Sequence, residues 1–321
     1  MNAVTTSSNP VPHGTGSFET PEERLRRVLR TRPADGPLRT LVQNVTDLFR
    51  SDAYGEELTR AAAGTQAPVT TGRRIAVIGS RGGAGRTTTA ALLARVFAAM
   101  RSDTIAAIDA GTGLGTLSLR LGLESAPSAA ELIASGPVVT VDGLAGVMGR
   151  AQENLLVAGS GAARLTVPPF AGTRTEDATG LARTVSRFCP VTVYDCGAGM
   201  ELPTTVWAVD QAHAALLVTP ASVAGIEDAL AVTYRWPQPG EPGYVPLLVV
   251  VVRVDDRAAL DPARQAARLS GAGIPAVHLD YDRHLAAGVE LALALLARRT
   301  RLQVSELASR ALHLAIDGGV R

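Results

Sequence analysis

Ile75-Ala76-Val77-Ile78-Gly79-Ser80-Arg81-Gly82-Gly83-Ala84-Gly85-Arg86-Thr87-Thr88 decides the fold. A short apolar run passes into a turn built mostly of glycine and other small residues, and a helical pattern follows from Thr87 to Met100. Strand, glycine-rich turn and helix in that order let backbone N–H groups curl around an anion, and the positive end of the helix adds to the attraction. Thr87 stands where such a loop offers a hydroxyl to Mg²⁺. A bare glycine-rich turn would say little, but here Gly-Gly-x-Gly precedes a cation and two threonines. The nearest confusable pattern is a dinucleotide fingerprint, because Asp109 ends the next apolar run where a ribose-binding acid would lie. Spacing excludes it: Ala84 and Thr88 occupy positions where that pattern needs glycine, or glycine or alanine.

Working outward, apolar runs alternate with helical stretches. Strands are expected at Ile75–Ile78, Ile105–Ile108, Leu155–Ala158, Val191–Tyr194, Ala214–Val218, Leu247–Val252 and Ala276–Leu279. Helices are expected at Thr87–Met100, Glu176–Phe188, Val223–Trp236, Pro262–Ser270, Ala286–Arg299 and Leu302–Ile316. Short Val- and Ile-rich runs with helical crossovers describe an α/β fold, a mainly parallel sheet with helices on both faces. The weakly patterned piece from Gly122 to Thr175 is expected to hold loops, short helices and one strand. Four regions follow: a disordered N-terminus (1–20), a helical extension (21–63), a linker (64–72) and the nucleotide-binding domain (73–321). In the extension Leu38, Leu41, Val42, Val45, Leu48 and Phe49 share one helical face, and Arg24–Arg50 carries seven Arg against two acids. Such a segment either packs on the domain or docks a partner.

The chain has 321 residues, 46% of them hydrophobic, and a formal charge of +1, so no strong field draws it to nucleic acid or membrane. All its basic residues other than histidine are arginine. Cys189 and Cys196 bracket one strand, about 20 Å apart at strand rise, beyond disulfide reach. Reduced thiols fit a cytoplasmic chain. No apolar run approaches the ~20 residues of a membrane helix. The histidines, His13, His213, His278, His284 and His313, lack metal-ligand spacing. A surface or packing role accounts for His284, and a solvated helix face accounts for Arg298, Arg299 and Arg301.

Arg81-Gly82-Gly83-Ala84-Gly85-Arg86-Thr87-Thr88 resembles the deviant Walker A loop of the MinD/ParA ATPases, Lys-Gly-Gly-x-Gly-Lys-Thr-Thr, with Arg81 and Arg86 at the two lysines. Ile105-Ala106-Ala107-Ile108-Asp109-Ala110 resembles the strand leading to that family's first switch. Val191-Thr192-Val193-Tyr194-Asp195-Cys196-Gly197-Ala198-Gly199 resembles its Walker B strand and second switch, and Leu217-Val218-Thr219-Pro220-Ala221-Ser222 the strand after it. Within the family the chain is similar to the MinD-like proteins of type VII (ESX) secretion, through Asp195-Cys196-Gly197-Ala198-Gly199, Gly115-Thr116-Leu117 and Leu279-Asp280-Tyr281-Asp282-Arg283-His284-Leu285.

The resemblance implies ATP with Mg²⁺ held by residues 82–88, a homodimer closed across the nucleotide, and slow hydrolysis. It casts Arg86 on the β- and γ-phosphates, Arg81 reaching the partner's nucleotide, Asp109 in the first switch, and Thr87 and Asp195 on Mg²⁺, Asp195 through water. It implies a protein partner, secretion machinery, met through residues 21–63, and at most peripheral contact with the inner face of the membrane. DNA binding, known in relatives, has little support here. Three departures stand out. Arginine replaces both loop lysines, and a planar fork is a poor copy of a compact ammonium. Gly111 stands where the family has its water-positioning aspartate, and Val252-Arg253 where relatives read adenine. Weak hydrolysis is therefore expected. The alternative is a pseudo-ATPase that serves as a docking scaffold through its N-terminal helices.

Overall fold

A computed structural model describes residues 51–111, 115–159, 170 and 172–318. Most of the expected helical extension, with its 38–49 apolar face, lies outside the described residues. So do the switch positions 112–114.

Eight strands form one sheet: β1 (Arg73–Ile78), β2 (Ile105–Ala110), β3 (Gly149–Gln152), β4 (Leu155–Ala158), β5 (Val191–Cys196), β6 (Ala214–Pro220), β7 (Leu247–Val252) and β8 (Ala276–Leu279). Their order is β3-β4-β2-β5-β1-β6-β7-β8. All neighbours are parallel except β3 and β4. The central strands are buried along nearly their whole length, which is why they read as continuous apolar runs rather than alternating ones.

One face is covered by α2 (Arg86–Met100) and by the C-terminal helix α11 (Arg298–Asp317). The other carries α6 (Thr175–Phe188), α7 (Pro203–Gln211), α8 (Val223–Arg235) and α9 (Pro262–Gly271). Short helices α3 (Leu117–Arg120), α4 (Ala129–Ala134), α5 (Val141–Val147) and α10 (Arg283–Ala286) fill the rims. Ahead of the sheet, α1 (Ser51–Thr65) packs against α11. Gly64 allows the approach, since a Cβ there would meet Ser309 Oγ at 1.9 Å. At its other end the Tyr54 ring lies 4.9 Å from the Arg298 guanidinium carbon.

Several expectations need correction. The segment from Gly122 to Thr175 holds two strands, not one. β3 escaped notice because Gly149-Arg150-Ala151-Gln152 is a half-buried, polar edge strand, without the apolar run that marks a fully buried one. Residues 286–299 do not form a helix. Gly288 turns at φ +76°, and the backbone amides that a helix would use go elsewhere: Leu291 to the Arg120 carbonyl, Ala292 to His284 Nε2 and Ala297 to Asp282 Oδ2. Only Ala286 at the end of α10, the 3₁₀ turn Leu293–Leu295 and the start of α11 are helical there. Helix α7 went unread although Pro203 opens it. Among the described residues no helix is long and apolar enough to cross a membrane.

The apolar face of α11 is spent on the core, with Val304, Leu307 and Leu312 essentially inaccessible. The neighbouring arginines are largely spoken for: Arg299 pairs with Asp280 at 2.7 Å, and Arg301 donates to the Leu296 carbonyl at 3.1 Å. Gly64→Val, which forces a branched side chain into the crossing of α1 over α11, should cost about 1–3 kcal/mol, read as a lower urea midpoint. An unchanged midpoint would show that α1 is not part of the cooperative core.

Candidate functional site

The C-terminal end of β1 lies between those of β5 and β6, and the loop that follows it opens at this edge, where ligands sit in open α/β sheets. Gly83 and Gly85 hold φ of +73° and +91°, conformations that side chains with a Cβ rarely adopt. Through Gly85 the chain turns into α2, whose N-terminus has neither a side-chain cap nor an acidic residue in its first turn. The first amides of a fifteen-residue helix are therefore left to whatever enters the cleft. A Cβ on Gly79 would sit 2.7 Å from the Val218 carbonyl, so the loop can enter this narrow gap only with glycine.

Beside the loop lies a cleft of about 360 Å³. Gly83 to Thr89 form one wall; Val252, Arg253 and Val254 after β7 form another. The third comes from Leu279 to Asp282 and α10, including Leu285 and Ala286. One end is thus lined by backbone amides and hydroxyls and the other largely by apolar side chains, with volume enough for a ligand of drug size.

Asp109 and Asp195 are register partners on β2 and β5, both buried. Burial first, then the neighbouring Asp109 carboxylate, pushes the Asp195 carboxyl up; a hydrogen bond from Thr87 and the charge of Arg86 oppose the rise. Asp195 Oδ1 is buried without a hydrogen-bond partner, a costly state that a divalent cation or its water shell would relieve. The donor set, a threonine hydroxyl and a carboxylate oxygen, suits a hard cation such as Mg²⁺. Asp109 Oδ1 accepts from the Gly111 amide at 2.9 Å, and a Cβ on Gly111 would come to 3.0 Å from that oxygen. An aspartate at 111 therefore requires Asp109 to shift.

The two loop arginines are engaged within the chain. Arg86 Nε donates to the Cys196 carbonyl at 3.2 Å and its NH1 to the Arg81 carbonyl. Burial pushes its guanidinium below its usual range, partly offset by Asp195. It therefore straps the loop to the end of β5 while the cleft beside Gly83–Thr89 stays open. Arg81 forms a two-pronged contact with Asp228 on α8, which also accepts from Ser80 Oγ at 2.9 Å. Asp228 gave no local signal, being one of two adjacent helix acids far along the chain from Arg81. Arg253 lines the cleft, but its guanidinium turns back to the carbonyls of Asp255 and Asp256. Cys196 is buried and its thiol pushed far up by burial, so it is a packing group. His284 is also buried, donating its amide to Asp282 Oδ1 and accepting from Ala292.

No protein-family model matches the chain. Over 248 residues, 74% of its length, it is 30% identical to the ESX-1 secretion-associated protein EspI of Mycobacterium tuberculosis. The match spans only 36% of that longer relative. Among solved structures it is similar to a ParA family ATPase from Chlorobium tepidum, with 19% identity and a TM-score of 0.60 over 76% of this chain and 98% of that one. It is likewise similar to the cell division ATPase MinD of Pyrococcus furiosus, with 19% identity and a TM-score of 0.56 over 75% and 98%. The septum site-determining protein MinD of Pyrococcus horikoshii, complexed with Mg-ADP, shares 18% identity and a TM-score of 0.54 over 78% and 99%.

Asp195→Asn removes one of two adjacent buried acids and should raise the urea midpoint of the nucleotide-free protein at pH 8, with a gain on the order of 1 kcal/mol. A lower midpoint would mean that the carboxylate is already well compensated.

Proposed function

With the MinD/ParA P-loop fold and a secretion-associated relative as premise, we propose that this chain is a nucleotide switch that binds ATP with Mg²⁺. The observation that carries the reading is the uncapped start of α2 beside Gly83 and Gly85, opening on a cleft that a nucleotide would fit. The amides of residues 82–88 hold the phosphates, and Val252, Leu279 and Leu285 offer an apolar bed for the base. Thr87 and Asp195 hold the Mg²⁺, which neutralises phosphate charge when bound.

Hydrolysis in this reading is weak. Arg86 spends two donors on the carbonyls of Arg81 and Cys196, and Gly111 supplies no carboxylate to orient water. These same two features favour the second reading, a catalytically silent scaffold. In either case the kinship with EspI points to a role beside type VII secretion machinery. The docking segment of the proposal is residues 21–63, which overlaps α1 from residue 51 onward.

The Arg81–Asp228 contact adds a conformational element. Arg81 reaches a partner's nucleotide only by leaving Asp228, so the pair holds the monomer in an unengaged state until dimerisation offers a phosphate in its place. Charge-assisted and two-pronged, the contact specifies geometry, yet its exposure keeps exchange inexpensive.

Three measurements bear on this. ATP with Mg²⁺ at a hundred times its dissociation constant should stabilise the protein by about 2.7 kcal/mol in thermal unfolding, and Asp195→Asn should lose most of that gain; no shift with any nucleotide leaves the scaffold. Asp228→Asn should raise the dimer fraction seen by sedimentation with ATP and Mg²⁺, whereas Arg81→Ala should lower it. A dimer fraction indifferent to both variants removes Arg81 from the interface. Phosphate release from Arg86→Lys with Gly111→Asp should exceed that of the parent; unchanged release removes this account of impairment.

A further inference from the structure

At the opposite end of the sheet, where β1 and β5 begin, a second cavity of about 460 Å³ opens between the segment leading into β1 and the last turns of α6. Arg74, Arg183, Arg187, Ser186, Thr71 and His213 line it, and among the described residues no carboxylate does. Arg74 is half-buried, yet its side-chain contacts are neutral: the Gln211 carbonyl, and Ser186 Oγ at 3.0 Å. Its neighbour Arg73 is buried with Nε lacking any partner. Burial chiefly, and then Arg183 and Arg73, push the Arg74 guanidinium below its usual range, with Tyr194 acting the other way.

Arginine is seldom buried unless paired. The negative end of α6 accounts for Arg187 in its last turn. It does not account for Arg74, which comes from a neighbouring strand. Arg183, exposed and a full turn back on the same helix face, adds a third guanidinium at the mouth of the cavity, without an ion pair among the described residues. Hydroxyls from Thr71 and Ser186 add donors, and Gly72 brings the backbone close, since a Cβ there would lie 2.4 Å from the Ser186 carbonyl.

We propose that this cavity is a second anion site, remote from the phosphate loop, that takes a phosphate monoester through Arg74, Arg183 and Arg187. Guanidinium forks suit phosphate oxygens, and the cavity is larger than a bare ion needs. The phosphoryl group can belong to a free small molecule or to a lipid headgroup.

Isothermal titration of the full chain with glycerol 3-phosphate, and flotation with phosphatidylcholine vesicles containing phosphatidic acid, separate these sources. Binding of at least one probe is expected. Arg183→Glu with Arg187→Glu, both exposed positions, should weaken it at least tenfold, and Ser186→Ala should weaken it severalfold. Thr87→Ala at the phosphate loop should leave that component in place. Affinity within twofold of the parent in the double variant, binding abolished by Thr87→Ala alone, or no binding of either probe overturns the site.

Discussion

A helix that starts without a cap leaves several amides unsatisfied, and here those amides face a cleft instead of a side chain. That circumstance governs the rest of the site. Gly83 and Gly85 adopt their left-handed turns so that the chain can enter α2 at this angle. Gly79 has no side chain because β6 leaves no room for one. The two buried acids on β2 and β5 lie beside the start of α2, linked to it through Thr87. The arrangement is locally unfavourable when empty, since it combines open donors, a like-charge pair and an orphaned carboxylate oxygen. A polyanion with a divalent cation answers all three at once.

Arginine in place of lysine changes how this loop is braced. A lysine carries one compact charge that can follow a phosphate, whereas Arg86 has a fork wide enough to bridge two main-chain carbonyls. The strap ties the loop to the end of β5 and engages the guanidinium within the chain. Arg81 is held too, by the carboxylate of Asp228 on α8, which also accepts from Ser80. Both loop cations are thus occupied within the chain, and a ligand must compete for them.

Much of this was legible in the sequence because the informative features are local. Interior parallel strands are apolar on both faces, so Leu155–Ala158 and Leu247–Val252 stood out with their true limits, as did the short edge strand Ala276–Leu279 with its buried ends. The glycine pattern around Arg86 carried its own conformational demand. What escaped depended on distant partners. The stretch from Ala286 to Arg299 looks helical until His284 and Asp282 claim its amides, and no local pattern reports that. Asp228 is an ordinary helix acid until folding brings it to Arg81. The β3 strand is polar because it is an edge, and periodicity is blind to it. Arg253 is at the cleft as its position suggested, but its side chain serves its own loop.

Helix α2 is inaccessible along ten of its fifteen residues, and at its far end it is tied to the chain entering the domain. Thr65 Oγ1 meets Met100 Sδ at 3.1 Å, Gln66 donates to the Met100 carbonyl, and Arg101 donates to the carbonyls of Thr65 and Ala67. A rod gripped along most of its length has little freedom to flex or slip in part. The ligand-facing first turn and the anchorage of the polypeptide preceding the sheet are thus two ends of one rigid element, about 22 Å apart at a rise of 1.5 Å per residue.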